Sequence, residues 1–254
     1  MEPQRFDLPR YLSVLPLFQE MTALELKRLA EGCGLRRMAR GDNVFRVGEP
    51  CEEFHVTGMG QVKLFAISPA GQEKVIELIG PGQSFAEALM FTGKPYIINA
   101  QALSDSLVLS VGKAAVLREI EMDSRFAMRM LAGISRRLHG LVHDVQAYAL
   151  HTGMQRVIGY LLRDVPDETG DAADTGYSGT GFGPLGADDG APPPPRELRV
   201  SLPVSKATIA SRLSLTPEYF SRVLHELEDA GLIQMDKREI RIPDPGRLAR
   251  HNMQ

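Results

Sequence analysis

The spacing of apolar residues changes period three times along the chain. "TALELKRLAEGC" puts its apolar residues at helical spacing behind a Thr22–Glu25 capping box, which predicts a short amphipathic helix. From Gly41 to about Val111 the period falls to two. The runs "NVFRV", "EFHVTG", "QVKLFAIS", "EKVIELI" and "LVLSV", punctuated by Gly and Pro, predict a compact antiparallel β-roll or jelly roll. In "SRFAMRMLAGISRRLHGLVHDVQAYAL" the period is helical again. Ala127, Leu131, Ile134, Leu138, Leu141, Val145 and Tyr148 recur at alternating steps of four and three, the seam of a coiled coil, and predict a parallel homodimer. The alternative is a long helix packed on its own β-domain. A second helix, "MQRVIGYLLRDV", follows.

Residues 166–195 are rich in Gly, Pro and Asp and nearly devoid of large aliphatic side chains, so they cannot offset the entropy of ordering; they read as a flexible insert. Two short helices with a tight turn follow. Val204, Ile209 and Leu213 line the first, beside a small Ala210; Thr216 and Pro217 cap and open the second, which turns Phe220, Val223, Leu224 and Leu227 inward. "LIQMDKREIRI" then alternates about a charged turn at Asp236 to Arg238, completing a winged helix-turn-helix. Glu218, Ser221 and Arg222 face outward near the start of the second helix, where a recognition helix meets the major groove of double-stranded DNA. Arginine can clasp guanine bidentately, a carboxylate can accept from a base amino group, and serine adapts to either role. Ser205 and Lys206, with Lys237 and Arg238 of the wing, suit phosphates. The plainer reading is a solvated face with a Glu218–Arg222 pair at i, i+4.

A length of 254 residues suits two modest domains, and 43% hydrophobic with 24% charged residues is a globular composition. No apolar run approaches the ~20 residues needed to cross a bilayer, and the N-terminus lacks the pattern of a secretory signal, so no membrane is involved and the expected location is cytoplasmic. The net charge of −3 hides a segregation: Asp164 to Asp189 contains no Lys or Arg, whereas the stretch after Pro195 is rich in Arg. Cys33 and Cys51 are the only cysteines, too few for an iron–sulfur cluster held by one chain.

Taken together, the chain resembles the CRP/FNR family of bacterial transcription regulators from about Leu17 to Leu248, interrupted by the insert. "PEYFSR" resembles the E-x-x-S-R recognition signature of the FNR subgroup. On that resemblance Glu218, Ser221 and Arg222 would read a palindrome of TTGAT and ATCAA half-sites. "AGQEKVIEL", "FAEALMF", "SRRLHGLVHDV" and "RVIGYLL" are similar to the DNR branch, regulators of denitrification that respond to nitric oxide through haem. The resemblance implies an α+β architecture. An N-terminal helix and β-roll effector domain would span 1–122, a dimerisation helix 123–150, and a winged helix-turn-helix domain 151–254. RNA polymerase is the implied partner of an activator, and no enzymatic motif is present.

In cyclic-nucleotide binders of this family a Gly-Glu-Leu turn and an Arg-Ser pair hold the ligand. Here Ala86 stands for the glycine, Glu87 is kept, and Tyr96 and Ile97 fall near the Arg-Ser positions. A buried phosphate without its arginine would be an unpaired charge, so a cyclic nucleotide is not expected. Phe85, Glu87, Leu89, Met90, Phe91, Tyr96, Ile97, Ile98 and Leu131 would form an apolar pocket abutting the long helix around Met128, Leu131 and Ser135. Plain core packing is the rival reading; as a set the residues suit haem b, with His139 or His55 as axial ligand and His143 or His151 as further candidates. The remaining alternatives are redox control through the two thiols, another small ligand, or a cyclic-nucleotide-type regulatory module.

Overall fold

The computed structural model describes residues 7–162 and 197–251. The predicted insert at 166–195 lies outside them. The chain forms two compact units, Met1–Arg136 and Arg137–Gln254, and the division falls within its longest helix.

The first unit opens with α1 (Leu8–Ser13) and α2 (Ala23–Ala30). Both arms of the capping box at α2 form: Thr22 accepts from the Glu25 amide, and Glu25 accepts from the Thr22 amide at 2.6 Å. Eight strands follow: β1 (Cys33–Met38), β2 (Asn43–Phe45), β3 (Glu53–Met59), β4 (Val62–Ile67), β5 (Glu73–Ile79), β6 (Ser84–Phe85), β7 (Asn99–Ala102) and β8 (Ser106–Gly112), with α3 (Glu87–Thr92) between β6 and β7. They make two four-stranded antiparallel sheets, ordered β1-β8-β3-β6 and β2-β7-β4-β5. The β-roll expected from the alternation is therefore present, and β5 shows its pattern cleanly, with Val75, Glu77 and Ile79 buried on one face. β3 instead buries four successive residues, Phe54 to Thr57, because both of its faces are covered. Phe54 packs toward the helices, with the Phe18 ring 6.4 Å away, and Phe18 stacks on Phe126 at 6.3 Å. His55 points the other way, into the space between the sheets.

α4 (Lys113–Met122) packs on α2 through an ion pair in which Arg28 donates to both carboxylate oxygens of Glu119, at 2.9 and 2.8 Å. That pairing allows Glu119 to be 2% exposed. α5 (Ser124–Leu150) then runs for 27 residues and turns Phe126 and Met130 into the core of the first unit.

In the second unit α6 (Gly153–Leu162) begins at a second capping box, Thr152 with Gln155. β9 (Leu198–Ser201), α7 (Lys206–Arg212), α8 (Pro217–Asp229), β10 (Gln234–Asp236), β11 (Glu239–Ile242) and α9 (Pro245–His251) follow. The wing hairpin gains β9 as a third strand, in the order β10-β11-β9, with Ile240 opposite Val200. Sequence periodicity did not reveal this strand, since four residues carry too little alternation.

Candidate functional site

The helix-turn-helix forms where its caps place it. Ser205 Oγ accepts from the Thr208 amide at 3.1 Å and starts α7; Thr216 Oγ1 accepts from the Tyr219 amide at 3.2 Å and starts α8, with Pro217 in the first turn. Ile209 and Ala210 from α7 and Phe220, Val223, Leu224 and Leu227 from α8 are buried between the helices. The turn between them passes through Ser214 at φ +56°. This packing leaves Glu218 and Arg222 exposed and Ser221 half-buried on the outer face of α8. Lys206 is half-exposed, and Lys237 and Arg238 project from the wing turn, which Lys237 closes at φ +54°.

One expectation on this face changes. Arg222 pairs with Glu226, its Nε 3.7 Å from Oε1, rather than with Glu218, and its guanidinium lies 4.8 Å from the Tyr219 ring centroid. Glu226 and Tyr219 sit one turn to either side of Arg222, whereas Glu218 is left at the helix start, where a negative charge complements the helix dipole. His225 Nδ1 lies 2.7 Å from the Ser221 carbonyl and must be the donor there.

Behind the turn, the end of α5 is fastened to α7. Arg212 donates to Asp144 Oδ2 at 2.5 Å and to the Tyr148 hydroxyl, which itself donates to the Arg212 carbonyl; Arg156 of α6 donates to the Leu213 carbonyl at 2.8 Å. Tyr148, expected on the dimer seam, places its hydroxyl against Arg212 at the end of α7.

The apolar residues that α5 leaves exposed are offset by one position from part of the seam expected from sequence. Met128, Leu131, Leu138, Val142 and Val145 are 47–66% exposed, and with Ser135 and Ala149 they make an exposed stripe at steps of three and four. Leu131, Leu138 and Val145 belong to both readings. Ile134 and Leu141 are half-buried, and the alternate seam positions move one residue on. The reason is that α5 carries apolar residues on two faces, and the inward face claims Phe126, Met130 and Ala147.

Inside the β-roll the anticipated pocket residues divide. Phe85, Met90, Tyr96 and Glu87 are buried and Ile98 packs partly against the core, but Phe91 is 40% and Leu131 55% exposed. α3 turns Glu87 and Met90 inward and swings Phe91 out; α5 turns Met130 inward and swings Leu131 out. Ile97 and Met128 are also exposed, so the helix face around Met128, Leu131 and Ser135 does not abut the buried set. The space between the sheets holds side chains: Tyr96 stacks on Phe45 with centroids 3.7 Å apart and planes 4° from parallel, and His55 lies 5.4 Å from Phe45 and 5.2 Å from Phe85.

His55 is fully buried with both ring nitrogens engaged, Nδ1 with Ser110 Oγ at 3.0 Å and Nε2 with the Tyr96 hydroxyl at 3.1 Å. Tyr96 spends its one proton on the Glu53 carbonyl at 3.2 Å, so it accepts from Nε2–H, and Nδ1 accepts from Ser110. Burial holds the imidazole neutral, its pKa lowered to about 3. A histidine with its lone pair so committed does not fit an axial ligand of haem. His139 and His143 are exposed on α5. Among the described residues no cluster of three or more His, Cys, Asp or Glu is placed to hold a metal. Ala86, preceding α3, has φ +71°, a left-handed conformation that glycine adopts without strain.

The two thiols are poor nucleophiles. Burial pushes Cys33 up to about 12 and raises Cys51 as well. No helix among the described residues is long and apolar enough to cross a membrane.

Comparison with known proteins agrees with this architecture. The cyclic nucleotide-binding domain family matches residues 35–123, and the Crp-like helix-turn-helix domain family matches residues 155–251. The CRP-like cAMP-activated global transcriptional regulator of Mycobacterium tuberculosis is 23% identical over 211 residues, covering 83% of this chain and 84% of its own. Among solved structures, FixK2 from Bradyrhizobium japonicum superposes with a TM-score of 0.67 at 20% identity, covering 86% of this chain and 96% of its own. DNR from Pseudomonas aeruginosa is 33% identical over 98% of this chain and 99% of its own, with a TM-score of 0.47. The chain belongs to the CRP/FNR family of transcription regulators, which are not enzymes and which bind DNA as dimers.

Proposed function

We propose that this regulator reads an FNR-type palindrome, TTGAT paired with ATCAA, through Glu218, Ser221 and Arg222 of each protomer. Ser205, Lys206, Lys237 and Arg238 hold the flanking phosphates. The observation that carries this is the outer face of α8, where Glu218 and Arg222 stand exposed at the start of a helix fixed by its own cap. The exposed stripe of α5 supports dimerisation through Met128, Leu131, Leu138, Val142 and Val145. The test is binding to the palindrome and to a scrambled duplex over a range of salt. Specific reading gives a large affinity ratio between the two at every salt concentration; equal affinity leaves only phosphate contacts.

For the effector we propose a small ligand other than a cyclic nucleotide, although the β-roll belongs to a family named for that ligand and one relative is described as cAMP-activated. Tyr96 stands near the position of the phosphate-binding arginine, and its ring fills the interior. The DNR resemblance favours nitric oxide or low oxygen read through haem, with denitrification or anaerobic respiration genes as targets and RNA polymerase as partner. The engaged nitrogens of His55 speak against haem seated there, which leaves His139, with His143 and His151 as further candidates. A Soret band on haem titration that His139→Ala removes supports this reading, and no band in the unaltered protein excludes haem. The thiol alternative is disfavoured by the raised pKa of both cysteines, and Cys33→Ala with Cys51→Ala is expected to leave regulation intact.

A further inference from the structure

Behind the reading face of α8 lies a feature that phosphate or base contacts do not require. Gly153, the first residue of α6, faces the ring of Tyr219 so closely that a Cβ built on it would lie 2.4 Å from Cε1 and 2.9 Å from both Cζ and the hydroxyl oxygen. A side chain at 153 would have to push the ring aside. A second neighbour of that ring is Arg222, one turn along α8, with its guanidinium carbon 4.8 Å from the ring centroid. Glu226 holds the same guanidinium from the next turn, Nε to Oε1 3.7 Å. The side chain of Arg222 is nonetheless 64% exposed. An exposed arginine of this length ordinarily samples many rotamers, yet clasping the O6 and N7 of a guanine requires one plane and one direction.

We propose that Tyr219 is a positioning residue for base reading: its ring, seated in the slot that a glycine at 153 leaves open, carries the Arg222 guanidinium in the plane that meets a guanine edge. This inference rests on Arg222 being a base reader. The ring restricts the guanidinium from beneath, and the Glu226 carboxylate limits its swing toward the C-terminal end of the helix. Because the ring leans on α6, the aim of Arg222 is set in part by where α6 begins. Tyr219 itself need touch no base.

The experiment compares the unaltered protein with Tyr219→Phe, Tyr219→Leu and Gly153→Ala. Each is bound, at one fixed salt concentration, to the palindrome and to a duplex in which the guanine base pair is inverted. Salt slope and Tm are recorded alongside. Tyr219→Phe keeps the π face and is expected to retain the discrimination ratio; Tyr219→Leu is expected to lower it about fivefold, with the salt slope unchanged. Gly153→Ala is expected to lower the ratio because its Cβ displaces the ring, and Tm records separately what that displacement costs the fold. A purely structural role would weaken both duplexes equally and leave the ratio unchanged. Tyr219→Leu or Gly153→Ala with the original ratio overturns the proposal. Failure of the unaltered protein to discriminate the two duplexes would instead remove the base-reading assignment, and this inference with it.

Discussion

Leu138→Ala tests the offset dimer seam. Leu138 is 59% exposed on α5, and a partner helix laid along the stripe would cover it. The substitution removes three carbons worth about 0.8 kcal/mol each when buried, so covering the exposed fraction is worth about 1.4 kcal/mol per protomer. Two-fold symmetry repeats the loss, giving about 3 kcal/mol, or roughly a 100-fold increase in the dimer dissociation constant. Sedimentation equilibrium measures this directly. Val142→Ala, on the same stripe, is expected to loosen the dimer in the same direction, whereas Leu141→Ala, half-buried on the inward face, is expected to lower Tm and leave the dimer constant close to its original value. If Leu141→Ala and Ile134→Ala loosened the dimer as much as Leu138→Ala, and Val142→Ala did not, the seam read from sequence alone would be right and the offset one wrong.

Two further perturbations address the Asp144–Arg212 pair and the core. Asp144 and Arg212 have side chains 18% and 13% exposed, so removing either partner is expected to cost about 2–4 kcal/mol in urea unfolding. The double variant should cost clearly less than the sum of the two singles; additivity within about 0.3–0.5 kcal/mol would show that the pair is not coupled. His55 has its folded pKa lowered to about 3 while the unfolded imidazole titrates near 6.5, so between these values the unfolded chain binds the extra proton. Its contribution is therefore fully present above pH 6.5 and declines by about 1.4 kcal/mol per pH unit as the pH falls toward 3. His55→Gln is expected to flatten that part of the pH–stability profile, and an unchanged slope would refute the buried neutral imidazole.

Much of the fold is legible because local chemistry and global packing agree. The alternation of "EKVIELI" and the caps at Thr22, Ser205 and Thr216 each carry their own reason and appear where expected. What the sequence hides depends on distant partners. β1 contains the adjacent Arg36 and Arg37, which break its alternation, and it becomes a strand by pairing along its length with β8. α4 buries a glutamate, which looks like a surface residue until Arg28, 91 positions earlier, is placed beside it. The seam of α5 is ambiguous by one residue because apolar side chains occupy both faces, and only the packing of Met130 and Ala147 shows which face is taken. The effector core is the least legible part. Nothing in a linear reading says that Tyr96 caps His55, and that contact turns a candidate iron ligand into a hydrogen-bonded core residue.

If α8 reads sequence through Arg222, fluorescence anisotropy of Arg222→Ala on a set of duplexes will show it. Affinity is compared on the TTGAT/ATCAA palindrome and on duplexes altered at one base pair at a time. The expected result is a loss of about 1–3 kcal/mol of discrimination confined to one guanine base pair in each half-site, with the other positions still distinguished. Uniform weakening on every duplex, with a salt slope reduced by about one, would make Arg222 a phosphate contact and not a base reader.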